Sequence, residues 1–358
     1  MARKLKPDVW LFTATLVLLA IGVVAVYSAS SEGVPTNQFM WVALGAVAFF
    51  ATMHIDYKRY AHPSVLPVLI GLTLAGLVAV FFFPAVNHSH RWIKLGTLGT
   101  LQPSELGKLV VILFAATAIG RKLEANEAVE PAFARTLLLV SVLALLVYKE
   151  PDGGGAIMLV GIMAAMMFVS GLPYRWVGIA ALAAPILAAL LVWDERYRLD
   201  RWEAFLNPES DPLGAGYQPL QSLIAVGTGG WWGKGYMAGV QRLGYLPEAR
   251  NDYIYAVIAE DKGLIGATFV LLCFAVLVWR GLKVARAAPD AFGSLLAFGI
   301  TAYLGLQAMF NMSVVLKLVP AKGIPLPFVS AGGSSMLVSL VAMGVLLNIS
   351  QQASATDS

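Results

Sequence analysis

The 358-residue sequence is 58% hydrophobic and 13% charged, about half the charged share of an ordinary soluble domain. Apolar runs of spanning length recur too often for one water-soluble core to bury, which excludes a soluble fold. A single cysteine, Cys273, excludes a disulfide framework or thiolate metal site within the chain, and a net charge of +4 is too small to argue for a nucleic-acid partner.

In chain order, the apolar runs fall near 9–27, 38–54, 64–83, 104–119, 134–148, 154–170, 174–193, 260–279, 291–316 and 333–349. They predict an all-α polytopic membrane protein with ten transmembrane helices, forming a single domain over 1–358. A β-barrel would instead show short alternating segments. The first run has no small-residue cleavage site strong enough to mark a signal peptide and is expected to stay as a span. An even count puts both termini on one side. The segments on that side hold Arg3, Lys4, Lys6, Lys58, Arg59, Arg121, Lys122, Arg135, Arg175, Arg280, Lys283 and Arg286, whereas the short loops opposite hold only Arg91, Lys94, Lys149, Lys317 and Lys322. That bias predicts cytoplasmic termini in a cytoplasmic (inner) membrane protein. The large segment 194–259, between the seventh and eighth helices, is then extracytoplasmic. Its glycines and aromatics predict short interfacial or re-entrant pieces over the bundle. No internal repeat supports transporter logic.

Charged groups near the spans gather on the outer side, where near-membrane charge is a functional signal by default. Glu105 and Lys108 share a helix face just inside the fourth span. They read either as a mutual ion pair or as Lys108 facing a hydrated cavity and an anionic substrate. Pro103 and Ser104 suit a helix start with a serine cap. Lys149, Glu150 and Asp152 form a short turn followed by three glycines, either a solvated tip or backbone closing on a ligand. Arg91, Trp92 and Lys94 read as an interfacial anchor or as a phosphate contact. The stretch from Ser330 through Gly332 and Gly333 opens the last span, as an ordinary loop and cap or as an anion nest. Asp252 reads as a helix cap or as a base. Counted back from Trp279 along a continuous helix, it lies roughly 12 Å beyond Glu260, level with lipid head groups. Glu260, Asp261 and Lys262 read as a locally neutralising interfacial cluster. The histidines lack metal-ligand spacing.

At these residues the chain resembles the SEDS family (shape, elongation, division and sporulation) over nearly its whole length. The carrying motifs are Arg91-Trp92 with a following Leu-Gly, "QPSE" with Lys108, "KEPD" at Lys149 to Asp152, "GYQ" and "QS" at Gly216 to Ser222, "LPEARND", and "GIPLPFVSAGGSS". Ala331 stands where members commonly have Tyr, Gly153 and Gly155 where they have Leu and Thr, and "RND" where "HTD" is commoner. Short tails are more similar to the elongation branch, RodA, than to the division branch, FtsW. The resemblance implies a peptidoglycan glycosyltransferase that polymerises lipid II on the outer membrane face during cell elongation and shape maintenance. It implies a class B penicillin-binding protein, a transpeptidase, as partner, within a wider set of elongation-complex membrane proteins and membrane lipids. It also makes Asp252 the acidic residue tied to polymerase activity.

On that basis Asp252 is expected to take the acceptor proton or to hold a divalent cation, with no ligand set legible for one. Arg91, Lys94, Lys108 and Lys149 are expected on the substrate diphosphate, with Asp152 and Glu105 orienting those bases and Ser330, Gly332 and Gly333 completing the site. Two rival classes are a lipid II flippase and a non-catalytic scaffold that activates the transpeptidase. Charge gathered on one side, instead of through the membrane depth, favours the enzyme.

Overall fold

A computed structural model describes residues 6–30, 36–85, 89–96, 99–171, 196–241 and 244–353. Helices α1 (Val9–Ser28), α2 (Thr36–His54) and α3 (Val65–Ala79) come first. A small antiparallel hairpin, β1 (Ile93–Lys94) and β2 (Thr100–Leu101), then leads into α4 (Pro103–Glu124), α5 (Glu130–Lys149) and α6 (Gly153–Val169). After α7 (Arg196–Leu206) and α8 (Tyr217–Gly229) come α9 (Ile254–Ala287), α10 (Ala291–Val315) and α11 (Gly333–Ser350). Nine of the ten expected spans coincide with these helices. The expected seventh span, 174–193, lies outside the described residues. Among the described residues, six helices are long and apolar enough to cross a membrane: α1, α3 with its short extension to Phe82, α5, α9, α10 and α11. Glu105, Lys108, Arg121, Lys122 and Glu124 make α4 more polar, yet most of it is buried.

The bundle packs α2 on α11, α10 on both α4 and α9, and α1 and α8 on α9. Polar side chains stitch its ends, as expected where water cannot satisfy the backbone. Asn348 accepts from the Tyr57 backbone N–H at 2.9 Å and donates to the Met53 carbonyl at 2.8 Å, tying α11 to the end of α2. Asp8 caps α1, pairs with Arg280 and uses its backbone N–H on Ser350 Oγ at 3.2 Å. Both ends of the described chain therefore meet at one end of the bundle. The C-terminal end of α1 lies at the opposite end, where Ser28 donates to Asp261. Gly333 begins α11 beneath the Trp41 indole, where a Cβ would lie 2.5 Å from Cδ1.

The expected continuous helix out to Asp252 is not what forms. Gly263, with φ 65° and ψ −164°, breaks α9, and only glycine holds that conformation cheaply. The segment 229–235 crosses the break. Lys234 and Gly235 donate to the Glu260 and Asp261 carbonyls at 2.9 and 3.1 Å, and Leu264 donates to the Gly230 carbonyl at 2.8 Å. The nine residues ahead of the break, Ile254–Lys262, are buried in the core apart from Lys262. The cluster of Glu260, Asp261 and Lys262 is corrected with it. Glu260 is 1% exposed, bonds Lys234 Nζ at 2.8 Å and accepts from the Val240 and Gln241 backbone N–H groups at 3.0 and 3.2 Å. Its partner is thus the 229–241 segment, not Lys262. Buried carboxylates here fasten the loop to the broken helix, because a charge removed from solvent must be paired.

Candidate active site

Asp252 lies in the turn before α9. Tyr253, not Asp252, occupies the N-cap position, so no capping duty consumes its carboxylate. Its backbone is held from behind. Asn311 on α10 donates from Nδ2 to the Asp252 carbonyl and to the Ile324 carbonyl, each at 2.8 Å. Ser330 Oγ donates to the Asn251 carbonyl at 2.6 Å and accepts from the Leu326 N–H at 2.7 Å, and the Ala331 N–H bonds the Arg250 carbonyl at 2.9 Å. These bonds clamp the 250–252 turn against the 324–331 loop. Ser330 is therefore a positioning residue, as is Asn311, which pattern reading passed over. A buried Asn inside an apolar span was the available signal.

Gly323 packs beside the carboxylate. A Cβ there would lie 3.0 Å from Asp252 Oδ2 and 3.8 Å from Arg91 Nη1, so the acid and the guanidinium flank one small residue. Arg91 is anchored by the "KEPD" turn. Its Nε donates to the Glu150 carbonyl at 3.3 Å, Nη2 donates to the Pro151 carbonyl, and Nη1 stands 4.0 Å from Asp152 Oδ1. Asp152 caps α6 by accepting from the Gly155 N–H at 2.9 Å and takes a second bond from Gln102 Nε2 at 3.1 Å. A cavity of about 40 Å³ is lined by Arg91, Asp152, Arg201, Trp202, Lys322 and Gly323, among others. Arg201 comes from α7 and donates to the Ala321 carbonyl at 2.8 Å. Three basic residues from three separate segments and Asp152 thus line this cavity, and Asp252 lies next to it, beside Gly323. Sequence reasoning missed Arg201 and Lys322, because Arg201 is one of seven charged residues in 194–203 and nothing marks it out among them, whereas Lys322 has no charged residue beside it.

Burial pushes the Asp252 carboxyl up to about 7, with the Glu248 charge adding to it, while Arg91 and Arg201 pull the other way. Glu150 is 0% exposed, and neither carboxyl oxygen has a hydrogen-bond partner among the described residues. Burial first, then Asp152, raise its pKa to about 9 against the pull of Arg91. The carboxylate of the turn that stands next to the Arg91 guanidinium is that of Asp152.

Several expected contacts are reassigned. Lys108 is 2% exposed, and its ammonium is enclosed by protein groups. It pairs with Glu105 Oε1 at 2.7 Å, donates to Gln307 Oε1 at 2.8 Å and lies 5.5 Å from the Tyr303 ring centroid. Gln307 in turn donates to the Pro325 carbonyl at 2.9 Å, so the pair supports the 324–331 loop from within the bundle. Glu105 does orient Lys108, toward Gln307 inside the bundle. Lys149 and Lys94 are exposed and do not line the Arg91 cavity. Lys149 is the last residue of α5, and neighbours on a helix point about 100° apart, so it diverges from buried Glu150. Gln102, not Ser104, is the N-cap of α4. At the helix start by Gly332 and Gly333, Ser334 Oγ accepts from the Gln102 N–H at 2.9 Å, Ser335 Oγ accepts from Gln307, and Trp41 covers Gly333. Among the described residues, no group of three or more His, Cys, Asp or Glu side chains could hold a metal.

A protein-family model described as a cell cycle protein, FtsW/RodA/SpoVE, matches residues 9–355. Stage V sporulation protein E of Bacillus subtilis is 38% identical, over 98% of this chain and 98% of its own. A probable peptidoglycan glycosyltransferase FtsW of Geobacter metallireducens is also 38% identical, over 98% of this chain and 96% of its own. Among solved structures, a chain from a peptidoglycan synthase complex, studied for how polymerization and crosslinking are coordinated, superposes with a TM-score of 0.81. It shares 28% identity and the match covers 98% of this chain and 99% of that one. A mutant form of the rod shape determining protein RodA of Thermus thermophilus superposes with a TM-score of 0.71 at 25% identity, covering 97% and 98%.

Proposed function

This chain belongs to the FtsW/RodA/SpoVE (SEDS) family of cell cycle proteins, and we propose that it is a peptidoglycan glycosyltransferase that polymerises lipid II into glycan strands on the outer face of the cytoplasmic membrane. The observation that carries the reading is the uncapped, half-buried Asp252 carboxylate clamped beside Arg91 across Gly323. A glycosyl transfer from a lipid-linked sugar diphosphate needs one base and a cationic seat for the leaving group. Asp252 takes the proton from the acceptor hydroxyl as its oxygen bonds the donor's anomeric carbon, and the carbon–diphosphate bond breaks. Arg91, Arg201 and Lys322 receive the negative charge that the departing diphosphate carries. Asp152 holds Arg91, and Asn311 and Ser330 hold the Asp252 turn. Lys94 and Lys149, both exposed, are left for the outer reaches of the substrate. Were a divalent ion bound with the substrate, Asp252 is the residue that would hold it, and the ion would supply charge neutralisation for the departing diphosphate. Small-molecule sites occupy roughly 300–1,000 Å³, so the cavity of about 40 Å³ beside Arg91 has to widen for a sugar diphosphate to enter.

Ten transmembrane helices, cytoplasmic termini, a 194–259 loop outside the membrane and a single-span class B penicillin-binding protein as partner belong to the same proposal. Support for the partner comes from the chain's likeness to a component of a peptidoglycan synthase complex. The chain's likeness to the rod shape determining protein RodA of Thermus thermophilus favours the elongation branch. The division and sporulation names of its relatives at 38% identity favour a second assignment, to septal or spore-wall synthesis. Filamentous depleted cells would select the division branch, and rounded cells the elongation branch.

The test is the purified protein with its transpeptidase partner and labelled lipid II. Glycan polymer is expected; translocation without polymer would select a flippase, and an effect on the partner alone a scaffold. The pH dependence is a second expected result. A base must be ionised, so kcat/KM should fall about tenfold per unit below a midpoint near 7 and level off above it. A profile flat from pH 5 to 8 would remove Asp252 as the base.

Asn311→Leu tests the clamp. Two carbonyls lose their donor inside the bundle, which costs about 1–3 kcal/mol of stability, and the Asp252 turn loosens. A fall in kcat of at least ~10-fold with KM little changed is expected, since small misplacements of a reacting group are costly. The pH midpoint should also move, because it depends on where Asp252 sits relative to Arg91 and Arg201; lost stability with an unchanged midpoint would leave Asn311 a packing residue only.

A further inference from the structure

A cavity of about 620 Å³ opens between α1 and α9, apart from the Asp252 site. Its α1 wall runs from Ala20 to Ser28 and its α9 wall from Ile258 to Val270. At 1.5 Å per residue the α1 wall is roughly 12 Å long. A bilayer's hydrocarbon core is about 30 Å thick, so the cavity is about one leaflet deep. Side chains such as Val24, Ile265 and Phe269 make the walls apolar.

The polar end is built by the broken helix. Gly263 lets the 229–235 segment cross α9, and that crossing places Trp232 and Tyr236 at the cavity mouth. Tyr236 stacks on Tyr27 with ring centroids 6.3 Å apart, and Lys262 Nζ lies 5.7 Å from the Tyr236 ring centroid. Trp232 is 81% exposed and Lys262 is exposed. Asp261, the other charged group in the lining, is 5% exposed and takes the Ser28 hydroxyl. The charge presented to a ligand is therefore the lysine's. An apolar slot topped by Trp, Tyr and one accessible cation matches a lipid chain joined to an anionic headgroup.

We propose that this cavity is a binding site for one anionic phospholipid of the leaflet on the Asp252 side, with its phosphate at Lys262 and an acyl chain between α1 and α9. A partner's spanning helix fits less well. It needs about 20 residues of contact through both leaflets, and this slot ends after one. The volume lies within the roughly 300–1,000 Å³ of small-molecule sites.

The test uses the full-length protein, purified in detergent, stripped of lipid and titrated with phosphatidylglycerol or phosphatidylcholine, with bound lipid read by native mass spectrometry. Wild type should keep one phosphatidylglycerol with a preference of about fivefold, the worth of one lysine near an anionic headgroup. Lys262→Ala should bring the preference near parity, and Val24→Trp should fill the slot and lose the retained lipid. Circular dichroism melting curves confirm that both variants are folded, and a photo-reactive side chain at Phe269 should label lipid in membranes. Absence of preference in wild type, retention unchanged in both variants, or labelling of a protein helix at Phe269 would each overturn the site.

Discussion

Asp252→Ala should lose at least ~10²–10⁴-fold in polymerisation of lipid II, the usual worth of a general base. Asp252→Asn should do the same, since the amide keeps the shape and cannot take a proton. Stability separates this loss from misfolding, and its direction comes from the raised pKa. The folded protein holds the proton more tightly than the unfolded chain, with pKa values of about 7 and 3.8. The contribution of Asp252 to stability is thus fully present below pH 3.8 and is lost as pH rises through about 7. Asparagine has no such penalty. Asp252→Asn should therefore melt no lower than wild type at pH 8, with the two converging near pH 4. An inactive variant that is also more thermostable at pH 8 is the signature of a charge kept for chemistry at the expense of stability. An active Asp252→Asn would sink the assignment.

Arg91→Ala is the second large effect. Arg91 meets the "KEPD" turn through two backbone carbonyls and Asp152, and it faces Asp252 across Gly323. Removing a preorganised donor from developing charge costs about 10²–10³ in kcat. Arg91→Lys should recover only part of this, because an ammonium cannot bond the turn and the leaving group with a planar fork. A purely structural role would predict the same loss, so the pH profile decides. Arg91 pulls the Asp252 pKa down; without that cation the midpoint of kcat/KM should move above 7. A midpoint that stays in place, or wild-type activity in Arg91→Ala, would remove Arg91 from the site.

Hydropathy alone located nine helices seen here, because a span must satisfy its own backbone and bury apolar side chains in lipid, and both demands are local. Asp252, Arg91 and Asp152 also stood out in the sequence, as charges costly to keep beside a membrane, and the fold brings the three close together. Lys108 shows where that logic stops. The cost of its charge is met by Glu105 and Gln307, and spacing along α4 cannot say whether a cation meets a partner or a cavity. Arg201, Lys322 and Asn311 were silent for a related reason. Each is an ordinary residue in its own stretch and gains its role from segments distant along the chain. Glu260 and Asp261 looked like interface charges until the break at Gly263 brought the 229–241 segment onto them.

The sequence by itself determined that the chain crosses a membrane many times and drew attention to one carboxylate, Asp252. These depend on the local balance between hydrocarbon and charge. Only the tertiary structure decided which cations face that carboxylate, which merely hold the bundle together, and that a broken helix builds an apolar slot with Lys262 at its head. Those outcomes depend on which distant segments meet, and long-range packing has no fixed spacing along a chain.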